Sequence, residues 1–345
     1  MWKMEKSSKP IAVVILNWNG AQMLREFLPS LIENTNPDLA DIVVADNGSQ
    51  DSSLRIVKED FPSVLTLDLK KNWGFAEGYN RAIAEIDYPY ILLLNSDIEV
   101  TPGWLEPLWN RIRQDSDIVS VQPKIRSYRE RSAFEYAGAA GGHLDLFGYP
   151  FCRGRIFDTI EKDLGQYDTP EQPFWTTGAA MLVRRDAFLS LGGFDDRFFA
   201  HQEEIDLCWR WLGKGYKLYC EPQSVVYHVG GASLSAENPF KTFLNFRNNL
   251  LMLKKNLPTG KRVGVFAIRV LFDALAAVVF ALSGKPRDAV AVLKAWAAFL
   301  KMKPLKTSLQ LTSEEKMIAY RKLHPSSILW AYHIARKQKY SDLKV

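Results

Sequence analysis

Residues able to hold a polar ligand recur at four places in the first hundred positions: Asn17-Trp18-Asn19-Gly20, Asp46-Asn47-Gly48-Ser49, Lys70-Lys71-Asn72-Trp73-Gly74-Phe75 and Asn95-Ser96-Asp97. Their amides and carboxylates offer directed hydrogen bonds, although each segment alone also suits an ordinary turn. Asp46 can accept a hydrogen bond from a ring N–H or a hydroxyl. Gly74 and Gly78 allow close backbone approach, and the N-terminus of the helix after them suits an anion; a plain loop-to-helix junction has the same composition. Asp97 offers oxygen to a hard divalent cation, or caps the next element. His228 offers a neutral imidazole to a metal or an anion, or a structural hydrogen bond. Glu203-Glu204, in EEIDLCWR, sets two carboxylates side by side, the residue type that moves protons. Acidic residues in a first helical turn also answer the helix macrodipole. Asp206 and Arg210 are spaced to pair at i,i+4.

The elements that must position these residues follow from hydrophobic spacing. Ile11–Leu16 is a continuous apolar run, the mark of a strand buried on both faces. Ala21–Asn34 has helical spacing, with Leu24, Phe27, Leu28, Leu31 and Ile32 on one side. Further strands are predicted at Asp41–Ala45, Val64–Leu67, Tyr90–Leu94 and Ile118–Gln122. Helices separate them: one capped by Ser49 and running to about Glu59, one over Phe75–Glu85, and one capped by Thr101 over Pro102–Gln114. This alternation predicts an α/β fold, a mostly parallel central sheet with helices on both faces. The polar segments then lie at the carboxyl ends of strands, where open sheets bind ligands. Residues 126–173 lose the rhythm and read as loops with short strands. Phe174–Val183 resumes as a strand, Asp186–Leu191 as a short helix and Glu203–Lys214 as a longer one, with strands at Tyr216–Tyr219 and Ser224–His228. The predicted organisation is one domain over 1–240, with halves at about 10–125 and 126–240, and a basic helical extension over 241–345.

Apolar residues make up 47% and charged residues 24% of the 345, which excludes a disordered, collagenous or coiled-coil chain. Cys152, Cys208 and Cys220 have no CxxC spacing, so neither a disulfide framework nor a zinc site is expected, and a reducing compartment is. The first apolar run is a short strand, and no signal peptide is expected. The net charge of +5 hides an asymmetry: 24 Lys and Arg against 34 Asp and Glu up to residue 240, then 20 against 5. Val263–Ser283 is apolar over the ~20 residues that a spanning helix needs, yet it carries Arg269 and Asp273. An amphipathic helix lying on a bilayer is therefore expected, with a helix packed on the protein's own core as the alternative. Trp330, Tyr332, His333, Arg336, Lys337, Lys339 and Tyr340 mix aromatic and basic character near the end. A membrane surface is the expected partner of this tail, and no nucleic-acid reading motif accompanies it.

The segments LNWNG, ADNGSQD, NWGFAEGYN, LLLNSDIEVTPGWL, WTTGAAMLVRR, GGFDDRFF, EEIDLCWR and VVYHVGGAS follow one another in the order and spacing of family 2 glycosyltransferases. The chain resembles the bacterial rhamnosyltransferase-type members most, over residues 10 to about 255. The resemblance implies a GT-A fold, with a nucleotide-binding half and an acceptor-binding half on one continuous sheet. It implies inverting transfer from a dTDP- or UDP-linked sugar, rhamnose among the possibilities, to a saccharide or lipid-linked acceptor in surface polysaccharide assembly. Nucleotide contacts are then expected from Asn17, Asn19, Asp46, Asn72, Gly74, Asn80 and Ser96. A divalent metal, Mg²⁺ or Mn²⁺, is expected on Asp97 and His228. Where the family often carries Asp-x-Asp this chain has Asn95-Ser96-Asp97, which leaves one anionic ligand. The usual base position is Glu204 here, one methylene longer than the family's Asp, with Glu203 the next choice. Trp175, Gly178 and Ala179 of WTTGAA are expected under the acceptor, though Trp175 suits a core equally well. The implied location is cytoplasmic, peripheral at the inner face of the membrane.

Three rival classes are weighed against this. A sugar-nucleotide nucleotidyltransferase needs a Gly-rich basic loop after its first strand, and LNWNGAQM has one Gly and no base until Arg25. A processive synthase needs Gln-x-x-Arg-Trp and several spans, and Leu207 stands where Gln would precede Arg210-Trp211. A nonenzymatic carbohydrate- or nucleic-acid-binding protein would have no use for Asp97 together with Glu203-Glu204.

Overall fold

A computed structural model describes residues 8–230, 238–302 and 310–343. Gly231, at the end of the His228 motif, lies outside the described residues. The first half alternates β1 (Ile11–Asn17), α1 (Ala21–Asn34), β2 (Ala40–Asp46), α2 (Ser53–Asp60), β3 (Leu65–Asp68), α3 (Gly74–Glu85) and β4 (Tyr90–Leu94). Then come β5 (Ile98–Val100), α4 (Leu105–Ile112) and β6 (Ile118–Ser127). Four short strands, β7 (Gly142–Leu144), β8 (Pro150–Cys152), β9 (Arg155–Ile156) and β10 (Thr159–Ile160), form a small second sheet where the sequence rhythm fails. The chain returns through β11 (Ala180–Arg184), α5 (Arg185–Ser190), α6 (Glu203–Gly213) and β12 (Lys217–His228).

The main sheet has eight strands in the order β3-β2-β1-β4-β11-β6-β12-β5. It is parallel from β3 to β4, as the alternating pattern requires. At β11 it reverses, because this strand inserts antiparallel between β4 and β6. The sheet is therefore mixed. β11 is also shorter than the apolar run that predicts it. Thr176 leaves the ladder to place its hydroxyl 2.7 Å from that of Ser120. β12 is one strand where two are expected, with a register shift between Glu221 and Val225; the bulge frees Ser224 Oγ to donate to the Trp104 carbonyl at 2.5 Å. Ser49 and Thr101 do not cap helices. The helices start later, at Ser53 and Leu105, and the Thr101 hydroxyl donates to the Val225 carbonyl instead.

The C-terminal extension is helical: α7 (Pro239–Asn256), α8 (Thr259–Leu282), α9 (Pro286–Leu300) and α10 (Ser313–Tyr320). α7 is welded into the body by polar groups. Lys255 Nζ lies 3.0 Å from Asp195 Oδ2 and 2.7 Å from Asp206 Oδ2, with all three side chains fully buried. Asn256 Nδ2 donates to Asp206 Oδ1 at 2.8 Å, and Arg210 Nε to Asp206 Oδ2 at 3.0 Å, the expected i,i+4 pair. α8 turns its two central charges inward. Arg269 and Asp273 are buried and paired, and the Trp296 indole and Tyr149 hydroxyl donate to the same carboxylate. Two of the aromatic residues near the end are tied to the body, while Trp330 stays 63% exposed. Tyr332 bonds Thr159 of β10, and the Tyr340 hydroxyl donates to Glu171 at 2.9 Å.

The Lys255 network makes one expectation measurable. Removing a partner from a buried ionic cluster leaves charge without compensation, at a cost of about 3 kcal/mol or more. Lys255→Met should lose about that much in urea unfolding; a loss below about 1 kcal/mol would show that Arg197 and Arg210 suffice for the two carboxylates.

Candidate active site

In-register pairing aligns the polar strand ends. Asn17 pairs with Asp46, and Asp46 with Asp68. Asp46 is buried, accepting from Asn17 Nδ2 at 3.1 Å and from the Ser49 amide at 2.9 Å, with acceptor capacity left over. Asn17 Oδ1 is buried and accepts nothing from the protein. Asn19 sits in the left-handed region, at φ 51°, and its Oδ1 accepts from the Gln50 amide, tying the loops after β1 and β2 together. Beside them Trp18, 53% exposed, presents a flat aromatic face that the strand pattern alone does not single out. Gly20 has its missing side-chain position 3.8 Å from Ser96 Oγ, which brings the loop after β4 alongside.

Three expectations for this half are corrected. The N-terminus of α3 is not free for an anion, because the Phe75 and Ala76 amides both donate to the Phe199 carbonyl, at 2.7 and 3.2 Å. Asn72 Oδ1 accepts from the Gly74 amide, and Gly74 is close-packed by the Phe199 ring, not open to a ligand. Asn80 exchanges two hydrogen bonds with the Phe194 backbone, 2.8 and 2.9 Å, and so serves to fix the Gly192-Gly193 turn. Gly74 and Asn80 therefore shape the wall, and Asn72 is held there through Oδ1.

β5 runs antiparallel to the end of β12 and pairs Ile98 with His228, which sets Asp97 beside the imidazole. Asp97 Oδ1 lies 3.2 Å from His228 Nε2, and His228 Nδ1 lies 3.1 Å from Glu135 Oε2, all three side chains at most a tenth exposed. Burial acts against charge on all three, yet their mutual pairing wins. The two carboxyls sit below their usual range and the imidazole is raised to about 10. Glu135 comes from the irregular stretch after β6, and no motif announces it. Among the described residues no group of three or more His, Cys, Asp or Glu side chains converges as a complete metal site. A carboxylate oxygen and an imidazole nitrogen 3.2 Å apart do suit two adjacent positions around a divalent ion, with Glu135 orienting the ring. The residues fit an open site whose other ligands come from the substrate.

The loop before α6 is strained and clamped. Phe199, His201 and Gln202 have φ of 64°, 70° and 70°, each costing about 1–3 kcal/mol unless the surroundings hold it. α7 supplies the hold: Asn248 Nδ2 lies 2.8–3.0 Å from the carbonyls of Phe198, Ala200 and His201, and Arg247 donates to those of Arg197 and Phe198. The clamp delivers Glu203 and Glu204 to the start of α6. Each has a buried carboxylate oxygen without a protein partner. Burial pushes Glu204 up to about 7. Burial and the neighbouring Glu204 also push Glu203 well above the usual carboxylate range. His201, buried next to Lys241, is driven down to about 4 and is neutral.

The strap at 177–179 joins these clusters. The position a side chain on Gly178 would take is 3.7 Å from the Glu204 Cβ, and the Ala179 carbonyl accepts from the Asn95 amide at 2.8 Å. Asn95 Nδ2 in turn lies 3.4 Å from His228 Nε2. Gly178 and Ala179 thus line the floor between carboxylate and imidazole. Trp175 does not: its ring is buried against Gly142 and its N–H is spent on the His143 carbonyl, so it belongs to the core. The strap thus links the Glu204 carboxylate to the Asp97–His228 pair.

A model of the family described as glycosyl transferase family 2 matches residues 12–190. N-acetylglucosaminyl-diphospho-decaprenol L-rhamnosyltransferase of Mycobacterium tuberculosis is 27% identical over 235 residues, which is 63% of this chain and 76% of the relative. Rhamnosyltransferase WbbL of Escherichia coli K12 is 29% identical over 214 residues, 59% of this chain and 78% of the relative. The fold is similar to that of GalNAc-T7, solved with UDP, GalNAc and Mn²⁺, at a TM-score of 0.61 and 16% identity, over 95% of this chain and 57% of that one.

The carboxylate–imidazole–carboxylate line has a titration signature. In metal-free protein His228 should keep its proton well above neutrality, and Glu135→Gln should lower its midpoint by at least a unit, as followed by ¹H–¹⁵N NMR of the ring. Because this pKa is raised above the ordinary 6.5, its stabilisation is complete below that value and is lost as pH climbs through about 10. A wild-type midpoint near 6.5 would contradict the charged arrangement.

Proposed function

The chain belongs to glycosyl transferase family 2 and is a GT-A-fold glycosyltransferase, and from that premise we propose an inverting transfer with Glu204 as general base. The observation that carries this reading is the Glu204 carboxylate itself. It has a free oxygen, a pKa raised to about 7, and a position one short strap from Asp97 and His228. Glu204 takes the proton of the acceptor hydroxyl as that oxygen attacks the anomeric carbon from the face opposite the leaving nucleoside diphosphate. A base with this pKa is about half ionised near neutrality, where proton transfer is most effective. Asp97 and His228 would hold a divalent ion, which when bound offsets the charge growing on the diphosphate. Asp46, Asn17 and Asn19 would receive the base and ribose of a dTDP- or UDP-linked donor, and Ser96 would lie beside the diphosphate.

The acceptor is proposed to be lipid-linked, with rhamnose as the transferred sugar, in surface polysaccharide assembly. The substrate names of the Mycobacterium and Escherichia relatives support this. So does α8, whose outward side is apolar, with Leu271 68% and Leu275 61% exposed, while Arg269 and Asp273 face inward. This helix is long and apolar enough to span a bilayer by length and composition. Its buried Arg269–Asp273 pair favours a helix lying in the interface of the cytoplasmic leaflet.

Two measurements test the reading. Glu204→Gln should lower kcat by about 10²-fold or more with donor affinity nearly unchanged, and wild-type kcat/KM should rise with pH through about 7. Retention of anomeric configuration in the product would refute the single displacement. In vesicle sedimentation the protein should pellet with anionic liposomes, and Leu271→Glu/Leu275→Glu should leave it in the supernatant. Equal pelleting of both would move the contact away from α8.

A further inference from the structure

A groove of about 650 Å³ opens between the first turns of α7 and α9, within the size range of small-molecule sites. Phe240, Phe243, Pro286 and Val290 make its lining apolar, and Arg287 and Lys294 add two cations. The chemistry above leaves it unused. One end abuts the catalytic loop: the rings of Phe240 and Phe199 meet edge to face, 6.5 Å between centroids, and Phe199 belongs to the clamped segment that delivers Glu204. The same helical turn reaches the metal-site wall, where Lys241 Nζ lies 6.0 Å from the ring of Tyr136, the residue after Glu135. The other end opens onto the outward side of α9, where Leu293 and Leu300 are exposed. The Thr242 hydroxyl bonds Asp288 at 2.5 Å and fixes the two walls together, so the groove is preformed.

We propose that this groove seats the first isoprene units of a lipid-diphosphate acceptor, with Lys241 and Arg287, which flank the Thr242–Asp288 bond joining the two helices, facing the diphosphate. The inference rests on the lipid-linked acceptor reading and adds where the lipid lies. Such an acceptor has three parts in fixed order: sugar, dianionic linker, branched hydrocarbon. The protein offers three surfaces in the same order: the Glu204 loop, Lys241 and Arg287 at the joined first turns of α7 and α9, and the aromatic and aliphatic groove running toward the exposed apolar side of α9. A free phosphorylated sugar would use only the first two. A phospholipid chain arriving from the bilayer would have no reason to require the cations at the cleft end.

Farnesyl diphosphate is a direct probe, used on the full chain in chelator so that no metal draws it to the donor site. Calorimetry should give saturable one-to-one binding that persists in saturating UDP. Val290→Trp, which fills the groove from a half-exposed position without adding charge, should weaken it at least tenfold. Arg287→Gln should weaken farnesyl diphosphate while leaving farnesol unchanged. Unaltered binding by Val290→Trp, or displacement of the probe by UDP, would overturn the assignment. Transfer from a nucleotide sugar to a short soluble saccharide keeps the two readings apart: if that transfer proceeds while farnesyl diphosphate fails to bind, the groove assignment alone falls. If farnesyl diphosphate binds as described and no nucleotide sugar is turned over, the groove stands and the catalytic reading falls.

Discussion

Everything at the catalytic end of the molecule depends on two buried carboxylates sharing one ammonium. Asp195 ends the turn before the strained loop, Asp206 lies in the first turn of α6, and Lys255 reaches both from α7. Desolvating these charges is expensive, and apolar residues of the same volume would often be at least as stable. What the ionic arrangement supplies is registration. The separation of Asp195 and Asp206 is fixed by a common partner, so the segment between them has no slack, and Asn248 and Arg247 from the same helix hold its carbonyls in the left-handed course that Phe199, His201 and Gln202 adopt. Glu204 can then stay unpaired in a buried place, because its position does not depend on a partner of its own.

The first half of the chain was largely legible from the residues. Continuous apolar runs identify β1, β2 and β4 because both faces of those strands are covered, and strand pairing in register follows from that burial. The alignment of Asn17 with Asp46 is a consequence. The stretch from 126 to 240 was legible only where motifs resemble the family. Glu135 escaped because its placement comes from a bridge between Arg126 and Phe134 across an irregular stretch, a long-range pairing with no local period. The reversal at β11 escaped for the related reason that an apolar pentapeptide reads the same in either direction. Asn72 and Gly74 illustrate a different limit. Their composition announces a loop that something approaches closely, but what approaches is Phe199, 125 residues later, and not a ligand.

Charge counting alone does not say which of the tail's cations reach the surface. A basic surplus suggests a cationic surface, yet Lys255 and Arg269 are among its most buried side chains, committed to Asp195, Asp206 and Asp273. The surface that α8 leaves outward is hydrocarbon. Affinity for a bilayer would then scale with buried apolar area first and with lipid charge second. The sequence contains this inversion in principle, since Arg269 and Asp273 stand one turn apart on a face opposite Leu271 and Leu275, but periodicity alone cannot say which face meets protein.

The clamp also imposes an order on synthesis. The carbonyl of Phe198 waits for the amide of Asn248, 50 residues further along the chain. At bacterial and eukaryotic translation rates that interval is about 3–10 s. Through it the nascent chain can own a complete parallel sheet with its row of strand ends, while the turn that presents Glu204 still lacks the donors that hold it. Only α7 closes that gap, and α8 emerges from the ribosome immediately behind it. The turn that presents Glu204 and the outward apolar side of α8 are therefore completed in succession, after the sheet that carries the polar strand ends.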